Sequence, residues 1–162
     1  MAVEAPASIP PCEIRVDKEG VWYYRGAEII RQEIIALFCR HLEREDSGRY
    51  IINWNGQRCH LETEDTPLVV WETGQIKEEG EVKGVLLHLS DGSEERLAPE
   101  SLFIGSHHVP YCLVRDGTLP ARFSRKAYYQ LAALVEEDAR ESGFFLRIGC
   151  HRFPIREEHH RP

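Results

Sequence analysis

The chain reads as an α+β protein of two halves, each carrying a duplicated helix-plus-β-hairpin motif, around mostly antiparallel sheets. Three observations predict this. Residues 31–38 and 125–132 each open a stretch of helical period, and each stretch runs through Ser-Gly into a strand-turn-strand pattern, at 50–61 and 144–155. The apolar positions 128, 131, 132, 134 and 135 fall, at a constant offset of 94, on 34, 37, 38, 40 and 41, three of which are apolar. Between the two stretches lie short runs of strand-forming residues separated by turn residues, as a curved antiparallel sheet requires.

The elements follow in order. Residues 13–16 and 21–24 read as strands around Asp17-Lys18-Glu19-Gly20, which supplies a turn-forming Asp and a Gly able to take positive φ. A helix over 30–45 follows from apolar residues at 30, 34, 37, 38 and 42, with Ser47-Gly48 as its stop. Strands 50–54 and 58–61 flank Asn55-Gly56, a strong hairpin signal because both central positions of a type I′ turn need positive φ. Strands 68–72, 83–89 and 94–97 come next, the last two joined by Ser90-Asp91-Gly92-Ser93. Strand 111–114 ends at Arg115-Asp116-Gly117, and Ser124 is placed to cap a second helix over 125–141. Strands 144–148 and 152–155 close the chain around Gly149-Cys150-His151. The expected organisation is a flexible leader 1–12, an N-terminal helix and hairpin unit 13–66, a strand-rich middle with the C-terminal helix and hairpin unit 67–155, and a charged tail 156–162.

The 162 residues have the size of one domain or of two small halves sharing an interface. A net charge of -7 argues against nucleic acid, since affinity for a phosphate backbone needs clustered Lys and Arg. The charge is uneven: residues 62–100 hold 11 acids against 3 bases, residues 115–162 hold 9 bases against 7 acids. Five cysteines, an odd number at irregular spacing, predict reduced thiols and a cytoplasmic protein rather than a disulfide framework. The first eleven residues lack the cationic start and apolar run of a signal peptide, and no segment approaches the ~20 apolar residues of a membrane span.

Residues 17–26 (Asp-Lys-Glu-Gly-Val-Trp-Tyr-Tyr-Arg-Gly), then Ile29, Arg31, Leu37-Phe38 and residues 44–50 (Arg-Glu-Asp-Ser-Gly-Arg-Tyr), resemble the opening of a bacterial family known as domain of unknown function 1285. Residues 64–70, 114–117 and 121–125, then Tyr128-Tyr129-Gln130-Leu131 and Phe153-Pro154-Ile155, resemble it in the same order. The resemblance runs from Glu13 to Ile155 and rests on the order and spacing of its motifs. It implies two halves with repeated helix and hairpin motifs and a role in signal transduction. It carries over no catalytic residue, and the cysteines and His-rich stretches depart from the family pattern.

Arg31 and Arg125 open the two helices, where a cation meets the positive end of the helix dipole at a cost of roughly 0.3–1 kcal/mol. Two readings stay open: the pair binds an anionic group between the halves, or each pairs locally, with Asp17 or Asp116 for instance. Trp22, Tyr24 and Tyr128 offer apolar contact to such a ligand, with Trp54 on the neighbouring hairpin, or else are aromatics covered by a helix. His107, His108 and Cys112 form a weak candidate metal set, as do Cys59-His60 and Cys150-His151, but neighbouring strand residues point apart. Glu62, Glu64 and Asp65 read as acid–base carboxylates or as a solvated strand edge. No nucleophile elbow, phosphate loop or His-Glu-x-x-His helix appears. The expectation is therefore a bacterial, cytoplasmic, non-catalytic module that binds a small anionic ligand or a protein segment, needing no cofactor, with oligomerisation open. The alternatives are a hydrolase or transferase with its site in the groove between the halves, or an oligomeric scaffold.

Overall fold

The computed structural model describes residues 8–158 and has the expected α+β architecture. Residues 1–7 of the expected leader and 159–162 of the expected tail lie outside the described residues.

The first unit is a six-stranded sheet. Its strands are β1 (Pro11–Val16), β2 (Trp22–Tyr24), β3 (Ala27–Glu28), β4 (Leu42–Arg44), β5 (Tyr50–Trp54) and β6 (Gln57–Thr63), in the spatial order β3-β2-β1-β6-β5-β4. One helix, α1 (Gln32–Arg40), connects β3 to β4. Asp17 makes the first turn, its Oδ1 accepting from the amides of Glu19 and Val21 at 2.9 and 2.9 Å. Alternate residues Ile14 and Val16, Trp22, Ile52 and Leu61 are buried on the sheet, as a strand with one covered face requires. From α1, Ile35 and Cys39 are buried with them, and Phe38 stacks on Trp22 with ring centroids 6.4 Å apart. β1 joins β6 in parallel, the one parallel pairing of this sheet. Strand β1 begins at Pro11, so the end of the expected leader belongs to the sheet.

The second unit is built around a seven-stranded sheet. Its strands are β7 (Leu68–Glu78), β8 (Glu81–Leu89), β9 (Glu94–Arg96), β10 (Phe103–Ile104), β11 (Pro110–Val114), β12 (Leu119–Phe123) and β16 (Arg156–Glu157), ordered β16-β10-β11-β12-β7-β8-β9. Helix α2 (Arg125–Ala132) packs against β7 with Ala127 and Leu131 buried. Ser124 caps it as expected, accepting from the Ala127 amide at 3.1 Å. A three-stranded meander, β13 (Val135–Asp138), β14 (Gly143–Ile148) and β15 (His151–Pro154), follows the helix.

Both helices are shorter than their apolar period predicts. α1 stops at Arg40 and α2 at Ala132, and the residues expected to prolong them form β4 and β13 instead. Leu42 pairs with Ile52, and Val135 with Leu146, so burial against a neighbouring strand overrides weak local helix propensity.

This difference strengthens the duplication. Each half runs helix, strand, then hairpin, and the strand pairs with the first arm of the hairpin in both. The facing pairs correspond: Asn53 opposite Arg58 in one hairpin, Arg147 opposite Arg152 in the other. Even the cross-strand side-chain contacts repeat. Asn53 donates to Glu43 at 3.3 Å where Arg147 donates to Glu136 at 2.7 Å, and Arg58 faces Glu45 at 3.8 Å where Arg152 meets Asp138 at 3.1 Å.

The two units meet at the Asp17–Gly20 turn. Gly20, at φ 85°, sits so close to the second unit that a Cβ on it would stand 3.0 Å from Val69 Cβ and 3.1 Å from Ser90 Cβ. Around it the Trp71 indole donates to the Glu19 carbonyl at 2.9 Å and Gln32 Nε2 donates to the Ser90 carbonyl at 3.1 Å. Ser90 Oγ accepts from the Val69 amide at 3.0 Å, which fixes the surface the turn rests on. Most of the buried apolar residues of both units form one continuous core.

Gly56 has a similar φ of 80° with open space around it, so the pair separates backbone strain from collision. Gly56→Ala is expected to cost about 1–2 kcal/mol from positive φ alone. Gly20→Ala adds overpacking of about 1–3 kcal/mol. Urea denaturation of the two variants measures the difference, and equal midpoint shifts would mean that the joint is not close-packed.

Candidate functional site

The inner face of the first sheet is only half covered. α1 is nine residues long, about 13.5 Å at the standard rise, and lies over the end of the sheet that holds Val16, Trp22 and Leu61. Toward the Asn55-Gly56 turn the same face continues past the buried Ile14 and Ile52 to side chains left partly open, Cys12 of β1, Tyr24 of β2, Trp54 of β5 and Cys59 of β6. Residues two apart along a strand share a face, so these side chains converge for the same reason that Val16 and Leu61 are buried. Ile34 and Phe38 from α1, with Ile29 before it, form the opposite wall. The result is a concavity of about 1030 Å³. Its lining is mainly apolar, with Asn55, Gln57 and Arg58 as its polar end.

The concavity belongs to one unit, not to a groove between two. Of the five residues expected to bind a ligand, Tyr24 lines it, at 45% exposure. Trp22 is fully buried beneath Phe38. Arg31 is held by its own helix, pairing with Glu33 at 2.8 Å, with its side chain 72% exposed. Arg125 lies over the Tyr129 ring at 5.8 Å, and Tyr128 packs edge-on against Tyr129 at 5.6 Å. The arginines are not equivalent: Arg31 is the N-cap of α1, whereas Arg125 is the first residue inside α2 behind its Ser124 cap. Each is engaged locally, by partners other than Asp17 and Asp116.

The cysteines require a correction. Cys12 and Cys59 form a disulfide with Cα atoms 5.0 Å apart, where reduced thiols were expected. Parallel pairing of β1 with β6 brings together residues 47 apart in sequence, a contact that counting and spacing do not show. The bonded pair forms part of the concavity wall. Burial pushes the thiols of Cys39 and Cys112 well above the ordinary range, and Cys150 is exposed.

Two of the three candidate carboxylates are engaged by partners. Glu64 pairs with Arg15 at 2.7 Å. Asp65 accepts from Tyr111 at 2.7 Å and from Arg122 at 2.8 Å, in a half-buried cluster where the first unit leads into the second. His107 and His108 occupy a short 3-10 turn, while Cys112 points into the core. Among the described residues no three His, Cys, Asp or Glu side chains are grouped to hold a metal. Nor is any helix among them long and apolar enough to cross a membrane.

Two measurements check this chemistry. Iodoacetamide applied to the native chain without reductant should modify Cys150 alone, as read by peptide mass spectrometry; a label on Cys12 or Cys59 would contradict the bond. Burial, then the Asp65 hydrogen bond and charge, push the Tyr111 phenol up to about 12 from its ordinary ~10. The fold therefore favours the neutral phenol, so this contribution to stability is complete below about pH 10 and is lost as pH rises toward 12. Burial also raises the Tyr50 and Tyr23 phenols, so the absorbance titration is read as a difference: Tyr111→Phe should remove one late phenolate step from the wild-type curve.

Residues 4–66 match the sequence profile of the N-terminal domain of DUF1285, a domain of unknown function. No curated protein matches the chain. Two crystal structures share the fold. A DUF1285 family protein from Silicibacter pomeroyi DSS-3 superimposes with a TM-score of 0.73 at 22% identity, over 96% of this chain and 90% of its own. Another, from Shewanella baltica OS155, gives 0.63 at 18% identity, over 76% of this chain and 91% of its own. The chain thus resembles the DUF1285 family in the sequence of its N-terminal domain and, over nearly its whole length, in its fold.

Proposed function

We propose that the protein is a non-catalytic binding module whose ligand site is the open half of the first sheet. One observation carries this reading: a concavity of about 1030 Å³, walled by Ile14, Ile34, Phe38, Ile52 and Trp54 and polar at a single end. Sites for small molecules are typically concave and mostly apolar, with a few polar groups that set orientation. A catalytic reading draws less support from the lining. Its titratable side chains are Tyr24 and Arg58, since Cys12 and Cys59 are bonded to each other, and that set supplies no acid–base pair near neutral pH.

A role in signal transduction suits such a module, because α1 carries the occupant's effect outward. Ile34 and Phe38 face the concavity, while Gln32 on the same helix holds the Ser90 carbonyl of the second unit. A molecule that tightened or displaced α1 would reach the joint between the units directly. The cytoplasmic setting expected from the cysteine count fits less well with a Cys12–Cys59 bond, which persists best in an oxidising compartment.

The neutral dye prodan provides the test. It should brighten on binding and accept energy from Trp54, and Ile34→Asp should abolish the brightening by placing a charge in the apolar wall, while circular dichroism stays unchanged. Undiminished brightening in Ile34→Asp would place the dye elsewhere and defeat the reading.

A further inference from the structure

We infer that the occupant of this concavity is an amphipathic organic monoanion, an apolar body ending in one carboxylate or sulfonate, with Arg58 receiving the charge. The inference rests on the binding reading above and adds the ligand's class to it.

The lining is electrostatically one-sided. It includes one cation, Arg58, and no carboxylate, in a chain whose net charge is -7. Asn55 and Gln57 beside it carry amide groups able to donate to the same anion. An anionic end placed there meets the guanidinium and two amides able to donate, and the apolar wall beside it lowers the local dielectric and strengthens their attraction.

Arg58 is also loosely held. Its acidic neighbour Glu45 stands 3.8 Å away and is already taken by Arg49 at 2.8 Å. The duplicated half shows what a committed arginine looks like at the same hairpin position. Arg152 meets Asp138 at 3.1 Å and lies 3.6 Å above the centre of the Phe145 ring. One copy of the motif therefore uses this arginine to fasten its own strands, and the other leaves it slack at the mouth of an apolar concavity. A guanidinium that is slack, half-exposed and beside an uncovered sheet face can turn to a carboxylate without breaking a strong pair.

The test compares octanoate, kept below its micelle concentration, with 1-octanol, each displacing prodan from the wild type, Arg58→Gln and Arg58→Lys. Octanoate affinity should fall about three- to fivefold in Arg58→Gln, the size of one half-exposed ion pair, and recover in part in Arg58→Lys. Octanol affinity should be the same in all three. Octanoate binding that is unaffected by Arg58→Gln, or octanoate and octanol weakened alike, would overturn the assignment while prodan binding kept the site itself. Failure of prodan to bind the wild type would remove the site and this inference together. Binding to phosphatidylglycerol vesicles without binding of monomeric octanoate would point to a lipid surface and likewise overturn it.

Discussion

The close seating of the Asp17–Gly20 turn on Val69 and Ser90 is the constraint on which the rest of the architecture depends. At 3.0 Å there is room for a hydrogen on Gly20 and for nothing larger, so the turn acts as a fixed bearing between the units. The β1-β2 end of the first sheet is thereby buried against the second unit, with Trp22 beneath α1 and Val16 joined to Glu64 through the backbone at 2.9 Å. The opposite end of the same sheet is left facing away. The concavity exists there because one helix of nine residues cannot cover strands that run on past it.

Duplication explains the parts of the molecule and divergence explains its asymmetry. The strands keep their ancestral pairing closely, down to the polar contacts between Asn53 and Glu43 in one half and Arg147 and Glu136 in the other. The helices have drifted. α1 buries Ile35 and Cys39, whereas α2 buries Ala127 and Leu131, which are not their counterparts in the repeat, and lends its Gln130 side chain to the Thr73 amide at 2.7 Å. Strand register is locked by a ladder in which one step of slip exposes every buried side chain, while a helix can rotate on its face at smaller cost.

Local chemistry was readable from the residues, and long-range pairing was not. Asn55-Gly56, with φ of 52° and 80°, Asp17 at its turn and Ser124 at its cap are each decided within four residues, and each appears as expected. β4 and β13 were hidden inside apolar periods that suit a helix equally well, and only the pairings of Leu42 and Val135 resolve them. β10 and β16 are two residues each and join Phe103 to Arg156 across about a third of the chain, beyond any local signal. For the site, Tyr24 and Trp54 stand out as aromatics and line the concavity, whereas Arg31 and Arg125 hold different places in their helix caps and lie outside its lining. Arg58 had no sequence signal of its own. It matters through what surrounds it, and the one clue in the sequence is the alternation that carries the face of the buried Ile52 on to the exposed Trp54.

The link between Cys12 and Cys59 also sets how the molecule carries load. A pull transmitted from the amino end passes through the sulfur atoms straight into β6 and on to Thr66, bypassing residues 13–58, which contain α1 and most of the first sheet. That stretch is a covalently closed ring, so stretching the chain cannot unravel it and a single backbone cut inside it releases no fragment. The walls around the apolar hollow are thus shielded mechanically, and a tether at the front of the protein could be tugged without emptying it.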